Sequence, residues 1–464
     1  MFCHVSDDAP EEHRALRRIT SYILDRREIR ASGQEKESAL KRIFDLLIAA
    51  RVGINEPSVL AVRKTASKLL GTGDAAIWFT GESGSVVASA WANSAAASVL
   101  DLDDGNRLAR GHPGAAVIPV AFAVAAETGA GLEDLISAIV IGYEVGVAVA
   151  SARTIYGSTG TWAPYAVVAT AAALRRTSRS VLDHALAIAG ESAPNQLFSS
   201  MPPLSLPTPE GSDIKEGIPW SVVTGLTALD LAEAGFTGPR NILESSLHYH
   251  FFDGRPLGTA QYICSSYFKL YACCRHIHPS LDALLQLIKQ YAIDARTIEE
   301  IRVETYSGAL RITNKVNPSS LVDVQYSIPY CLALAALVGP EMLLPVTEDA
   351  LGHKEAVALA GKVSIVLDAE IDAKFPAQTL ARVVVVSKGK RFTSEVTAPR
   401  GEAEDPLTWP ELEAKFLAAT REVVDQGQQQ RLLAAINELR RNSDLGLLNA
   451  CIAEPRIRAG TYSA

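Results

Sequence analysis

The feature that most constrains the fold is a change in hydrophobic periodicity near residue 250. Before this point, apolar residues recur at helical spacings, as in the run from Ala15 to Arg51, and almost no alternating pattern occurs. After it, Ile298–Tyr306 and Leu380–Val386 alternate like half-buried strands, and Gly389 predicts a hairpin turn. The sequence therefore predicts a mainly α protein, in which a large all-helical domain is followed by a smaller α+β domain.

Helical spacing returns between Pro406 and Leu439. These C-terminal helices are predicted to pack back on the first domain, which makes that domain discontinuous in the sequence. The predicted boundaries are residues 13–260 for the all-helical domain, 261–402 for the α+β domain and 403–464 for the returning helices. A cleft between two domains is a natural position for a ligand site.

Charge and cysteine content argue against several classes of protein. The formal net charge is -8 and no Lys/Arg run is present, so no nucleic-acid partner is expected. The six cysteines form no Cys-x-x-Cys pair and the charged N-terminus lacks an apolar core, so we expect a reduced, cytoplasmic protein without a secretory signal. The uncharged stretch 154–174 contains glycine, serine and proline, which predicts a loop leading into a buried helix and no membrane span.

A charged stretch, Asp101–Pro113, separates two apolar runs of helical spacing. It holds three carboxylates, two guanidinium groups and one imidazole. Polar connections between helices are commonly solvated loops, and such carboxylates can also stabilise a helix N-terminus. The alternative is that this stretch forms the rim of a site.

The common dinucleotide, phosphate-loop, serine-hydrolase and zinc-protease motifs are absent. The pair His276-x-His278 lies near Cys273 and Cys274, which raises the question of a metal. Its spacing fits no standard structural zinc site and no second ligand pair accompanies it, so no metal is predicted. The two cysteines are interpreted as small buried hydrophobic residues.

Five blocks of the sequence, taken in order, carry a family resemblance. They are Leu100–Asp104 with His112–Gly114, Ala138–Val145, Ile214–Trp220, Leu231–Pro239 and Phe268–Pro279. The chain resembles the MmgE/PrpD family, which includes 2-methylcitrate dehydratase, cis-aconitate decarboxylase and iminodisuccinate epimerase. The resemblance implies a cofactor-independent homodimeric enzyme with a helical domain, an α+β lid domain and a site in the cleft between them.

The chemistry of that family abstracts or delivers a proton next to a carboxylate, which needs a base, an acid and cations for the substrate. By position, Asp101, His112 and Lys215 match the family's motif residues. His112 is the implied general acid or base, Lys215 would bind a carboxylate or act as a base, and Asp101 or Asp104 would orient His112 or serve as a base. The candidate catalytic residues are Asp101, His112, Lys215 and His278. The candidate substrate contacts are Asp104, Tyr165, Cys274, Arg275 and His276.

The chain departs from the family at two positions. Many members carry a histidine where this chain has Trp162, and animal-type decarboxylases carry one where this chain has Cys274. The neighbours Arg275, His276 and His278 could compensate. These departures weigh against an animal-type decarboxylase.

Three functions stay open at this point. The first is a lyase of the 2-methylcitrate dehydratase type, acting on a small di- or tricarboxylate. The second is an epimerase or isomerase of an iminodisuccinate-like dicarboxylate, which works by two-base proton transfer. Its candidate bases are His112 or Lys215 on one face and Tyr143, Tyr165 or His278 on the other. The third is a cis-aconitate decarboxylase-like enzyme or a non-catalytic family member. Whatever the function, the alternative for Lys215 is an ordinary surface lysine, and the alternative for His278 is a core or capping histidine.

Overall fold

The structure is a computed structural model that describes residues 15–155, 157–194, 212–251 and 257–455. The first domain contains nine described helices. They are α1 (Ala15–Arg26), α2 (Gly33–Gly53), α3 (Pro57–Leu69), α4 (Val86–Ser98), α5 (Pro113–Thr128), α6 (Leu132–Ala152), α7 (Ala163–Arg175), α8 (Arg179–Glu191) and α9 (Ile218–Glu233). A small antiparallel hairpin, β1 (Ala75–Ile77) with β2 (Glu82–Gly84), connects α3 to α4.

The interior of this domain is built from α4, α5, α6 and α7, which are buried along nearly their whole length. Helices that are apolar on every face are stable only when other helices surround them. Small residues let these helices approach closely, since a Cβ on Gly142 of α6 would collide with Thr170 of α7. By length and composition α6 could also cross a membrane, but 94% of its apolar window is buried inside this bundle.

The second domain combines short helices with one sheet. Its elements are α10 (His278–Tyr291), β3 (Ile298–Thr305), α11 (Ser307–Leu310), α12 (Leu321–Gln325), α13 (Ile328–Leu337), α14 (Lys354–Ala360), β4 (Val363–Leu367), α15 (Ala369–Asp372), β5 (Arg382–Ser387) and β6 (Lys390–Thr393). The strand order is β4-β3-β5-β6, in which β3 pairs antiparallel with β5 and parallel with β4. The predicted fold class, a mainly helical protein with an α+β second domain, is confirmed.

Strand β4 was not predicted from the sequence. This strand lies at the edge of the sheet, and none of its five residues is fully buried. A half-buried strand is recognised by alternation of apolar and polar residues, and Val363-Ser364-Ile365-Val366-Leu367 alternates only at its start.

The chain ends with α16 (Trp409–Thr420), α17 (Gln426–Asn442) and α18 (Gly446–Ala453). Trp409 and Phe416 of α16 pack on Phe44 of α2, with ring centroids 6.3 and 5.6 Å apart. The backbone N–H of Phe79 donates to the Ile452 carbonyl of α18 at 2.6 Å. The returning helices therefore contact the first domain. Residues 13, 14 and 456–464 of the predicted domains lie outside the described residues.

One returning helix also supports the loop that follows α4. Lys415 of α16 is fully buried, and its Nζ lies 2.6 Å from Asp45 Oδ1 of α2. The same Nζ donates to the Leu102 carbonyl at 3.2 Å. Removing one partner of a buried ion pair is strongly destabilising, so the pair holds Lys415 in place. Through its hydrogen bond to the Leu102 carbonyl, Lys415 then fixes the position of the charged loop.

Candidate active site

The charged loop borders a cleft between the helical and α+β domains. We call the side formed by Asp101–His112 and Glu216 the helical wall. The other side, the α+β wall, is formed by Tyr267–His276, Ile312, Tyr326 and Phe375–Thr379. The lining residues are Asp101, Asn106, Arg107, Arg110, Gly111, His112, Glu216, Tyr267, Lys269, Cys274, Arg275, His276, Ile312, Tyr326, Phe375, Pro376 and Thr379.

Asp104 fixes the base of the helical wall. Its carboxylate accepts hydrogen bonds from Gly114 N at 3.1 Å and from the Tyr143 hydroxyl at 2.8 Å. A Cβ on Gly114 would collide with this carboxylate, so only glycine permits the approach. Burial raises the pKa of Asp104 to about 6. Asp104 does not line the cleft, so the structure places this predicted substrate contact at the start of α5 as a structural residue.

Asp101 lies between two lysine ammonium groups. Lys215 Nζ is 2.9 Å from Oδ1, and Lys269 Nζ is 3.1 Å from Oδ2 and also donates to the Asp101 carbonyl at 3.0 Å. Burial alone would raise the pKa of this carboxyl, but the two ammonium groups hold the pKa well below its usual range. Asp101 therefore stays ionised near neutral pH and is a poor proton acceptor.

The segment that carries Lys215 has a strained backbone. Lys215, Glu216 and Gly217 all have left-handed φ values, of 48°, 58° and 73°. Such conformations cost non-glycine residues about 1–3 kcal/mol each and persist where the surroundings impose them. Here the Lys215–Asp101 pair and a 3.1 Å hydrogen bond from the Thr159 hydroxyl to the Glu216 carboxylate hold the segment. Lys215 itself lies behind Asp101 and does not line the cleft.

His112 is held between two carboxylates on the helical wall. Its Nδ1 lies 3.1 Å from Asp103 Oδ2, and its Nε2 lies 3.7 Å from Asp101 Oδ1. Its backbone N–H donates to the Thr159 hydroxyl at 3.1 Å. Burial lowers the pKa of this imidazole, but Asp103 and Asp101 outweigh burial and raise the pKa above its ordinary value. His112 is therefore suited to hold a proton near neutral pH and to donate it.

His276 has different surroundings on the α+β wall. Its Nδ1 lies 2.6 Å from the Tyr306 hydroxyl, and the rings of Tyr306 and Phe375 pack against it. Burial, with the positive charges of Arg107 and Lys269 nearby, lowers the pKa of His276 to about 4. His276 is therefore a neutral imidazole near neutral pH, on the same cleft as His112.

Two further predicted contacts line the α+β wall. Burial raises the pKa of the Cys274 thiol to about 12, so this side chain is a neutral thiol. The Arg275 guanidinium lies 2.5 Å from Glu402 Oε1 and donates to the carbonyls of Phe268 and Arg400 at 3.1 and 3.0 Å. Most of its donors are therefore used within the protein.

The structure does not bring His278 or Tyr165 to the cleft. His278 Nε2 donates to the Cys273 carbonyl at 3.2 Å while Nδ1 faces Arg275 Nη1 at 3.3 Å, and burial lowers its pKa well below the ordinary value. Tyr165 is fully buried in α7, against Gly190 of α8. His278 thus has the surroundings of a core histidine and Tyr165 those of a core tyrosine.

Trp162, at one of the departures from the family pattern, is also fully buried. Its ring packs behind the charged loop, where a Cβ on Gly111 would lie 2.9 Å from Trp162 Cζ2. It does not line the cleft, so it supports the loop from the side of the bundle.

Four residues of the site were not singled out in the sequence, namely Asp103, Arg107, Lys269 and Tyr306. Asp103 and Arg107 lie within the charged stretch, and Lys269 lies inside one of the blocks that carry the resemblance. A lysine between Phe268 and Leu270 in a non-polar context is a detectable signal, since buried lysines need a charged partner. Tyr306 meets His276 only through the tertiary fold, so no sequence signal identifies it.

Asp101, Asp103 and His112 offer ligand atoms within 4.8 Å of one another, as a metal site would. The positive charge next to these carboxylates is already supplied by Lys215 and Lys269, which lie within 3.1 Å of Asp101. A divalent cation would meet electrostatic repulsion from both ammonium groups. This donor set therefore does not favour a metal ion.

Comparison with known proteins defines the family. Residues 17–253 match the MmgE/PrpD N-terminal domain and residues 271–441 match the MmgE/PrpD C-terminal domain. The chain therefore belongs to the MmgE/PrpD family, as predicted. It is similar to two proteins named cis-aconitate decarboxylase, one from Aspergillus terreus (strain NIH 2624 / FGSC A1156) and one from Aspergillus terreus. Each is 26% identical over 420 residues, which cover 80% of this chain and 83% of the relative. The family and these relatives support a lyase-type protein.

Proposed function

We propose that this protein is a lyase that removes water from a small di- or tricarboxylate, by taking a proton from a carbon next to a carboxylate. Elimination of water needs a base for the C–H bond and an acid for the departing hydroxyl. The observation that carries the proposal is that His112 and His276 share one cleft while their surroundings move their pKa values in opposite directions. Such pairs of titratable groups are characteristic of acid–base sites.

In this mechanism, His276 accepts the proton and His112 donates one. His276 Nδ1 lies 2.6 Å from the Tyr306 hydroxyl. The mechanism uses the tautomer in which Nδ1–H donates to the Tyr306 oxygen, so that the lone pair on Nε2 takes the proton from the substrate carbon. The Nε2–H of protonated His112 is transferred to the departing hydroxyl, which leaves as water. A carbon–carbon double bond forms, and exchange of protons with solvent returns both imidazoles to their starting states.

Positive charge on the cleft wall would stabilise the negative charge that develops on the substrate. Lys269 is suited to this role because Asp101 holds its ammonium group in place and keeps its pKa above the ordinary value. Preorganised charges of this kind act without rearrangement during the reaction. Asp101 is thus assigned to holding Lys215 and Lys269, and not to proton abstraction.

Decarboxylation is the second candidate, because both relatives are named for it. Loss of carbon dioxide leaves a carbanion that needs only a proton donor, which His112 could supply. The two reactions therefore differ in their need for His276.

We also propose that the chain works as a homodimer in the cytoplasm. The family resemblance supports the homodimer, and the free state of the five described cysteines supports a reducing compartment.

The test is proton NMR in deuterium oxide with 2-methylcitrate, citrate, cis-aconitate and the iminodisuccinate stereoisomers. Wild type would be compared with His112→Gln and His276→Gln, and with His353→Gln as the matched control. His353 is half-buried and lies outside the cleft lining. We expect a new vinyl signal when wild type is given a hydroxy acid of the panel, and we expect this signal to be lost in both His112→Gln and His276→Gln.

Other products would contradict the proposal in distinct ways. Loss of a carboxylate from cis-aconitate that persists in His276→Gln would identify a decarboxylase. Deuterium incorporation with stereochemical scrambling and no new product would identify an epimerase. No reaction with any compound of the panel would exclude this class of substrate.

A further inference from the structure

Two arginines, Arg107 of the helical wall and Arg275 of the α+β wall, share the carboxylate of Glu402. Arg107 Nε donates to Glu402 Oε2 at 2.9 Å, and its Nη2 also contacts Oε1. Arg275 Nη2 approaches the same Oε1 at 2.5 Å. Two guanidinium groups and one carboxylate leave one net positive charge beside the cleft.

Arg275 cannot offer that charge to a ligand in a directed way. Its Nη1 donates to the Phe268 carbonyl and faces His278, and its Nη2 is used on Glu402 and on the Arg400 carbonyl. Its Nε is buried and has no hydrogen-bond partner among the described residues. Arg275 is therefore enclosed by the protein, although it was predicted to contact the substrate.

Arg107 is oriented differently. Glu402 occupies its Nε–Nη2 edge, and Nη2 also donates to the Thr379 hydroxyl at 3.0 Å. Within the described ranges, Nη1 has no hydrogen-bond partner, and the half-buried side chain lines the cleft. One free nitrogen on a guanidinium group that is fixed on its other edge is a preorganised anion receptor.

We propose that Arg107 Nη1 binds a carboxylate of the substrate remote from the reacting carbon, and that Glu402 and Thr379 are positioning residues for Arg107. The subsite selects ligands with more than one carboxylate over monocarboxylates. The inference rests on the proposed function for the carboxylate class of the substrate, and it does not depend on which bond is broken.

The test is calorimetric binding of tricarballylate to the full chain, with butyrate as the monocarboxylate. Tricarballylate has no hydroxyl group or double bond, so it cannot undergo dehydration. Arg107→Gln is expected to weaken its binding about 10- to 100-fold, the usual range for a charge-assisted hydrogen bond, and to leave butyrate binding unchanged. Arg400→Gln is the matched control, because it removes an exposed Arg–Glu pair with Glu411 outside the cleft.

A second variant keeps the test independent of folding. Arg107→Lys retains the charge, but one ammonium group cannot serve Glu402 and a ligand in the same geometry, so binding should weaken about 10-fold. Thermal melting would show that each variant is folded. If Arg107→Gln does not fold, Arg107→Lys supplies the result.

Glu402→Gln separates positioning from simple charge. The substitution makes the cleft more positive, so a purely electrostatic role would tighten tricarballylate binding. Loss of the fixed Arg107 orientation would weaken that binding several-fold, which is the expected result. Tighter binding would overturn the positioning role of Glu402.

Two outcomes overturn the subsite itself: unchanged tricarballylate affinity in a folded Arg107 variant, or no binding of tricarballylate to wild type. Failure of the proposed function looks different. If the NMR panel stays silent while tricarballylate binding depends on Arg107, the subsite stands and the dehydration proposal falls. If the enzyme dehydrates a substrate of the panel while Arg107→Gln binds tricarballylate normally, the subsite proposal is wrong and the dehydration proposal stands.

Discussion

The two walls of the cleft place the same side chain in opposite surroundings. On the helical wall, His112 faces the carboxylates of Asp103 and Asp101, and its pKa is raised. On the α+β wall, His276 faces a neutral phenol and lies near two positive charges, and its pKa falls to about 4. Both imidazoles lose solvent, so the neighbouring charges and not burial alone decide which one carries a proton.

Two carboxylates of one loop also show that neighbouring charges decide the direction of a pKa shift. Asp101 and Asp104 are three residues apart and both are buried. Two ammonium groups keep the pKa of Asp101 far below its usual range, whereas burial raises that of Asp104 to about 6. Asp101 holds two lysine ammonium groups beside the cleft, and Asp104 accepts a hydrogen bond from the backbone at the start of α5.

The largest expected effect is on the helical wall. His112→Gln should lower kcat about 10²- to 10⁴-fold, because it removes the proton donor. His353→Gln should leave kcat unchanged. Turnover of His112→Gln within about twofold of wild type would show that the charged histidine does not take part in the proton transfer.

The buried charges of the helical wall should also dominate stability. Lys269→Met removes one of two ammonium groups from the buried Asp101 and should lower the free energy of unfolding in urea by about 3–5 kcal/mol. Arg176→Met removes an exposed pair with Glu28 and should cost less than about 1 kcal/mol. Equal losses in the two variants would erase the distinction between buried and exposed pairs.

A smaller effect on kcat is expected on the α+β wall. His276→Gln should lower dehydration about 100-fold, because the substitution removes the neutral base. For a decarboxylase, the same variant should keep its turnover. Product formation by this variant, measured by NMR on each substrate, therefore separates the two reactions.

The smallest change is a shift in pH dependence. Asp103→Asn removes the negative charge that raises the pKa of His112, so the alkaline limb of kcat should move to lower pH. In wild type, this pair stabilises the fold below the unfolded histidine pKa of about 6.5, and the contribution is lost as pH rises through the raised folded pKa. An unmoved limb would show that Asp103 does not set the protonation of His112.

Much of the fold was predictable because its signals are local. The long apolar runs of α5, α6 and α7 and the alternation in β3 lie within single elements. The edge strand β4 was missed because its five residues alternate between apolar and polar only at their start.

The site was predictable only in part. The charged loop stood out because it interrupts buried helices, and His112 was identified within it. Which of His276 and His278 faces the cleft depends on the turn before α10, and two residues of spacing do not determine that. Lys269 meets Asp101 across 168 residues of sequence, so only the fold shows the pair.

The most direct test of this account is an NMR titration of the imidazole groups in the free enzyme. The chain has nine histidines, so spectra of His112→Gln and His276→Gln would assign the two signals. The account predicts that His112 titrates above the ordinary value of about 6.5 and that His276 remains neutral down to a pKa of about 4. Coincident midpoints, or a midpoint for His276 above that of His112, would contradict the assignment of acid and base.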